Sequence, residues 1–145
     1  MEFSEYDALK LDNQVCFPLY AAAREVTKLY RPYLDALNLT YTQYITMMVL
    51  WENRSCSAKK LGEKLYLDSG TLTPVIKSLE QKGFVKRSRS AVDERVLMVE
   101  VTDKGFALRE EAKSVPQKMA ACTNLTPEEA QTLYKLLYKV LGNQP

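Results

Sequence analysis

The chain has 145 residues, 46% of them hydrophobic and 26% charged, the proportions of a packed globular protein rather than a disordered tail. No apolar run approaches the ~20 residues of a membrane span, and the acidic opening MEFSEYD lacks the basic start of a secretory signal, so a cytoplasmic location with no membrane partner is expected. The net charge is +2 and histidine is absent, which removes histidine general-base catalysis and the histidine-containing zinc sets; neither metal nor other cofactor is expected.

From about Leu11 to Leu37, the residues Val15, Leu19, Ala22, Val26, Leu29, Tyr33 and Leu37 recur at three- and four-residue steps, the period of a long amphipathic helix. Pro18 inside it predicts a bend close to Cys16, and Pro32 a second irregularity. Thr40 and Gln43 are spaced as a capping box that opens a helix from Tyr41 to about Asn53. Its YITMMVLW stretch is apolar on nearly every side and belongs in a core or an interface.

Ser57 caps a short helix carrying Leu61 and Leu65, and Asp68, Ser69 and Gly70 make a turn. The next helix sets Leu72, Val75, Ile76 and Leu79 on one face before Gly83 stops it. Two short helices joined by a tight turn form a helix-turn-helix. After Gly83 the period changes. Phe84–Arg87 and Val96–Val101 read as strands joined by the polar stretch Ser88–Arg95, a hairpin wing with Arg89 and Arg95 at its tip and Asp93 two residues before Arg95.

Thr102 caps a further helix to about Ala121, interrupted near Pro116. Thr126 and Glu129 frame another capping box, with Pro127 at the first helical position. That last helix bears Ala130, Leu133, Leu137, Val140 and Leu141 and closes at Gly142. The expected fold is mainly α (α+β), a winged helix-turn-helix in the order ααααββαα, as a single domain over 1–145 with its DNA-binding part at 55–101. The helices at 7–38 and 103–142 carry more apolar surface than one winged domain covers, so they are expected to form the scaffold of a homodimer.

Between Lys59 and Arg95 nine basic residues face five acidic ones, so this segment carries +4 and the remainder −2, the pattern of a binding module flanked by scaffold, although a charge run by itself is more often a solvated face. The non-core face of the expected recognition helix presents Ser69, Gly70, Thr71, Thr73, Pro74, Lys77 and Ser78. Small polar residues at its N-terminal end allow close approach to a major groove. Arg95, braced by Asp93, is placed to enter a minor groove, with Arg89 nearby. Lys59, Lys60 and Lys64 read either as solvated helix surface or as phosphate contacts, the latter favoured by their place in the motif. The partner these features fit is double-stranded operator DNA with a near-palindromic site, its half-sites ~10 base pairs apart.

The three cysteines, Cys16, Cys56 and Cys122, lie far apart and form no CxxC pair, which argues against a zinc site. A structural disulfide is not expected in a reducing compartment. Each thiol is left as a packing residue or part of a redox site.

The order of elements, with DERVLMVEVTDKG leading from the wing into the next helix, resembles the MarR family of bacterial regulators. Two stretches, LDNQVCFPLYAAAREVTKLYRPYLDALNLTYTQY (Leu11–Tyr44) and LYLDSGTLTPVIKSLEQKG (Leu65–Gly83), look like its organic hydroperoxide resistance branch. The resemblance implies a dimeric repressor, not an enzyme, that releases operator DNA when an organic hydroperoxide or related oxidant oxidises Cys16. It also implies that the partner subunit's tyrosines at positions Tyr30 and Tyr41 hold the sulfur, with Tyr20 near the pocket. Hydroxyl donors stabilise the reactive thiolate in an apolar interface, and the sulfenic acid formed on oxidation condenses with a thiol.

Members with a second cysteine late in the chain form an intersubunit disulfide, for which Cys122 is the counterpart here, while Cys56 is expected to be structural. Relatives often carry a second basic residue where this chain has Ser78. Two other functions stand beside this one: a MarR-type regulator released by a small ligand without redox chemistry, and a thiol peroxidase, which would leave the helix-turn-helix unexplained.

Overall fold

In the computed structural model, which describes residues 4–142, the first long helix, α1, spans Cys16–Asp35. It starts later than the apolar period suggests, and the expected bend near Cys16 is replaced by the start of the helix. Pro18 explains the start. As the third residue of α1 it lies in the first turn, where backbone N–H groups have no acceptor within the helix. A helix begun at Leu11 would have lost a hydrogen bond there. The preceding segment forms two 3-10 turns instead, Asp7–Leu9 and Leu11–Asn13. The helix continues through Pro32. The outermost residues of the expected 1–145 domain, 1–3 and 143–145, lie outside the described residues.

Helix α2, Tyr41–Asn53, opens with the expected capping box: the Thr40 hydroxyl accepts from the Gln43 N–H, and the Gln43 side chain accepts from the Thr40 N–H. Met47 and Leu50 are fully buried on it, as its apolar composition requires. A strand absent from the sequence expectation follows, β1, Ser55–Ser57. Three residues carry no readable alternation; they become a strand because they pair with a later one. Ser57 then caps α3, Ala58–Leu65, and Asp68 caps α4, Ser69–Gln81. The expected turn at Asp68, Ser69 and Gly70 is thus the N-cap and first turn of α4. Gly83 ends that helix at φ +80, with Phe84 N–H bonded to Leu79 O and Gly83 N–H to Glu80 O, the glycine stop that a left-handed residue permits.

Strands β2, Val85–Arg89, and β3, Leu97–Val101, form the wing. With β1 they make a three-stranded antiparallel sheet in the order β1-β3-β2. Cys56 pairs with Val99, and both are buried. Leu61, Leu79 and Val99 meet Met47 and Leu50 in the set of fully buried side chains, so the core sits where α2, α3 and α4 close on the sheet.

The expected helix from Thr102 to Ala121 is three pieces: α5, Asp103–Ala107, α6, Arg109–Ala112, and α7, Val115–Cys122. The break before Pro116 was legible. The break at Leu108 was not, since Leu108 keeps helical dihedrals (φ −58, ψ −25) and only the regular bonding is interrupted. Gly105 is required by close packing, because a Cβ there would collide with the Phe84 carbonyl.

The chain divides into two compact units at the Lys113–Ser114 junction, inside the expected 103–142 arm. The second unit holds α7 and α8, Pro127–Val140, the latter opened by the Thr126–Glu129 capping box. The fold is thus mainly helical with a small sheet, a winged helix-turn-helix preceded and followed by helices.

Candidate sensor and nucleic-acid interface

Helix α4 offers an exposed face and a positive end. Ser69, Gly70, Thr71, Thr73, Pro74 and Lys77 are all exposed. Asp68 accepts from the Thr71 N–H at 2.8 Å, and this hydrogen bond holds its carboxyl below the usual range. Pro74 has no N–H to give, so the Gly70 carbonyl receives no bond from the fourth residue on. Thr73 donates to the Ser69 carbonyl at 2.7 Å. Ser78 is placed differently from its neighbours. It is half-buried and its hydroxyl accepts from the Gln43 amide at 2.9 Å, so the expectation of a base-facing hydroxyl is corrected to an inward one, directed at α2.

At the wing tip Arg95 and Asp93 adopt the expected brace. Arg95 Nε lies 3.1 Å from one carboxylate oxygen and Nη2 3.2 Å from the other, while the Arg95 side chain remains 91% exposed. Hydrogen bonds from the Arg95 side chain, and then from its backbone N–H at 3.0 Å, hold the Asp93 carboxyl below its usual range. Arg89 is exposed but is the last residue of β2, paired with Leu97, and so lies beside the tip rather than at it. Lys59, Lys60 and Lys64 are exposed on α3.

A second ion pair, not foreseen from the sequence, fixes the wing to α4. Glu80 accepts from Arg87 Nε at 3.1 Å and from the Arg87 backbone N–H at 3.0 Å. A seven-residue separation across a helix stop gives no periodic signal for such a pair. Beneath it a cavity of about 720 Å3 opens between α3, α4 and the wing, lined by Tyr66, Leu72, Ile76 and Arg87 among others.

Cys16 is the first residue of α1 and is exposed, next to the positive end of that helix. Tyr30 stands near the other end, roughly 20 Å away at ~1.5 Å per residue. Tyr30 meets Tyr41, the first residue of α2, with ring centroids 5.0 Å apart. Tyr44, missed in the sequence, completes a triad at 5.8 Å from Tyr30 and 6.4 Å from Tyr41; its signal is burial, which no local spacing reveals. Trp51 abuts Tyr44 edge-on at 6.3 Å and donates to the Gly105 carbonyl. Tyr20 lies on α1, one turn beyond Cys16, with Arg24 over its ring at 5.6 Å. The structure therefore joins Tyr30 to Tyr41 but brings neither to Cys16 of the same chain.

The apolar face of α1 has little cover: Phe17, Leu19, Val26 and Leu29 are exposed, and Leu34 is its one buried residue. In the second unit, α8 exposes Leu133, Tyr134, Leu136 and Val140 and buries none of its residues. Cys122, the last residue of α7, is half-buried, and its thiol donates to the Lys118 carbonyl at 3.3 Å. Cys56 is buried in β1. Among the described residues no cluster of side chains suits a metal ion, and no helix is long and apolar enough to cross a membrane.

Comparison with known proteins finds the family described as transcriptional regulator SarA/Rot over residues 28–112. The organic hydroperoxide resistance transcriptional regulator of Bacillus subtilis (strain 168) is 45% identical over 138 residues, covering 95% of this chain and 94% of that one. The structure of reduced AbfR bound to DNA is 32% identical, with TM-score 0.76, over 96% of this chain and 97% of that one; AbfR is a protein of Staphylococcus epidermidis. Disulfide-formed AbfR is 33% identical with TM-score 0.62, over 95% and 94% of the two chains.

Proposed function

The chain belongs to the SarA/Rot family of MarR-type winged-helix transcriptional regulators, and from that premise we propose that it is a dimeric repressor that leaves its operator when an organic hydroperoxide oxidises Cys16. The observation that carries the proposal is the separation along α1. Cys16 and the Tyr30–Tyr41 pair stand at opposite ends of a helix whose apolar face is uncovered. Antiparallel pairing of two such helices about a two-fold axis covers both faces and sets each sulfur beside the other subunit's tyrosines, twice over. A relative named for organic hydroperoxide resistance, and AbfR seen reduced on DNA and in a disulfide form, support this reading.

The chemistry follows from the groups present. A Cys16 thiolate attacks one oxygen of ROOH, the O–O bond breaks, and ROH leaves after proton uptake, with sulfur oxidised to Cys–SOH. A thiol then attacks that sulfur, forming S–S and releasing water. Tyrosine hydroxyls donate to the thiolate in the pocket. On DNA, Ser69, Gly70, Thr71, Thr73, Pro74 and Lys77 face the major groove, Arg95 braced by Asp93 enters the minor groove, and Arg89 with Lys59, Lys60 and Lys64 meets phosphates. We place this regulator in the cytoplasm, with a near-palindromic operator and no cofactor.

Operator binding by Cys16→Ser, with and without hydroperoxide, tests the proposal: the variant should bind and fail to release, and release on oxidation would move the sensor elsewhere. The cavity beside α4 favours a second reading, release by a small ligand. A small molecule that bound in this cavity and released Cys16→Ser from DNA would establish it.

A further inference from the structure

We infer that Gln43 is the positioning residue that couples the sensor corner to the recognition helix, an inference that rests on the proposed redox function. Gln43 is 5% exposed and is the third residue of α2. Capping its own helix needs one contact, the Thr40 N–H at 3.0 Å. The side chain makes two more. Its oxygen accepts from Lys82 Nζ at 2.8 Å, and its nitrogen donates to the Ser78 hydroxyl at 2.9 Å. Lys82 Nζ also donates to the Asn38 carbonyl at 2.6 Å. The corner between α1 and α2 is therefore tied to the last turns of α4 at two points.

Tyr41 sits between Thr40 and Gln43 in this box. A shift of Tyr41 on oxidation of the sulfur it holds would carry the capping box with it, and the amide would carry Ser78 and Lys82. Leu37 and Leu39, in the chain between α1 and α2, are buried and apolar. Such packing is non-directional, whereas hydrogen bonds of this geometry fix register and orientation. The amide thus supplies the directional link between the tyrosine pair and the helix that faces DNA.

The experiment measures operator affinity of the full-length protein against the fraction of Cys16 oxidised, each variant scaled to its own reduced-state affinity. In Gln43→Met, Cys16 should oxidise at the wild-type rate while the reduced-to-oxidised affinity ratio falls by about tenfold, within the usual range of coupling between sites. Gln43→Glu should restore the wild-type ratio, because a carboxylate accepts from Lys82 and Thr40 and the Ser78 hydroxyl can turn to donate. Ser78→Ala cuts one of the two ties to α4, leaves the Lys82 tie and should lower the ratio by a smaller factor, which keeps the test intact if Gln43→Met does not fold. A wild-type ratio in Gln43→Met or in Ser78→Ala overturns the inference, as does a Gln43→Glu protein that is uncoupled like Gln43→Met. Failure of the wild-type protein itself to release on oxidation would instead overturn the redox function on which the inference stands.

Discussion

Tyr30 and Tyr41 lie with ring centroids 5.0 Å apart and planes tilted by 55°, one near the end of α1 and the other at the first position of α2. Burial pushes both phenols above their ordinary value of 10.0, and at Tyr30 the neighbouring Tyr41 adds to the rise. Both therefore keep their protons at neutral pH, and a protonated phenol is the form that can donate to a sulfur anion.

The first prediction follows from that donor role. Tyr30→Phe and Tyr41→Phe should leave operator binding intact and slow oxidation of Cys16 by an organic hydroperoxide. The expected factor is about tenfold for each, corresponding to the ~1.5 kcal/mol of a hydrogen bond to a charged group. Stopped-flow measurement of thiol loss checks it, and unchanged rates in both variants would show that these hydroxyls do not touch the sulfur.

Tyr44 supplies a pH prediction. Burial, then Tyr30 and Tyr41, push its phenol from 10.0 up to about 12. A folded value above the unfolded one means that the stabilisation is fully present below about pH 10 and is lost as pH rises through about 12. Absorbance titration should resolve a late-ionising tyrosine, and the melting temperature should fall across that window. Tyr44→Phe should abolish the late step. A titration with all tyrosines ionising together near 10 would contradict the triad.

The wing carries the third prediction. Arg95→Ala should weaken operator binding by about tenfold or more, the usual scale for one specific contact, without changing the oligomeric state. Glu80→Gln should weaken it less, since Arg87 keeps its charge but loses its anchor on α4. Hydrogen bonds from Arg87 hold the Glu80 carboxyl below its usual value of 4.5. That anchor is present above the ordinary carboxylate range and lost as pH falls through the lowered folded value. Fluorescence anisotropy with labelled operator, alongside light scattering, checks both variants; a monomeric Arg95→Ala would make Arg95 structural.

Assembly is testable at Leu29, exposed on the uncovered face of α1. Leu29→Arg places a charge where the antiparallel pairing would bury it, a cost that only dissociation relieves. Light scattering at micromolar concentration should show a dimer for the wild type and a shift toward monomer for the variant. A wild-type monomer would remove the two-subunit pocket altogether.

Local chemistry was legible in the sequence. The Thr40–Gln43 and Thr126–Glu129 boxes and the Asp93–Arg95 brace join residues two or three positions apart, and such pairs follow from spacing alone. Contacts set by tertiary approach were not. Gln43 reaches Ser78, Trp51 reaches the Gly105 carbonyl, and β1 exists through Cys56 opposite Val99. The late start of α1 belongs between the two. Pro18 was visible, but its effect depends on whether it falls in a first turn or mid-helix, and the apolar stripe alone does not decide that.

The last prediction concerns how oxidation ends. Cys16 opens α1, and Cys122 closes α7 with its thiol donating to the Lys118 carbonyl. Cys16 is exposed, whereas Cys122 is half-buried with its thiol already donating, an asymmetry of access that favours Cys16 as the first site of oxidation and leaves Cys122 to attack the sulfenic acid afterwards. For a disulfide to join Cys16 of one subunit to Cys122 of the other, their Cα atoms must come within roughly 7 Å. Bringing them to that distance would move the recognition helices and lower operator affinity. Non-reducing electrophoresis after mild peroxide treatment should show a covalent dimer. The band should vanish in Cys16→Ser and in Cys122→Ser and survive in Cys56→Ser, because Cys56 is buried opposite Val99. If the band persists without Cys122, or never forms while DNA is still released, Cys122 is a packing residue and Cys16 finishes as a mixed disulfide with a small thiol.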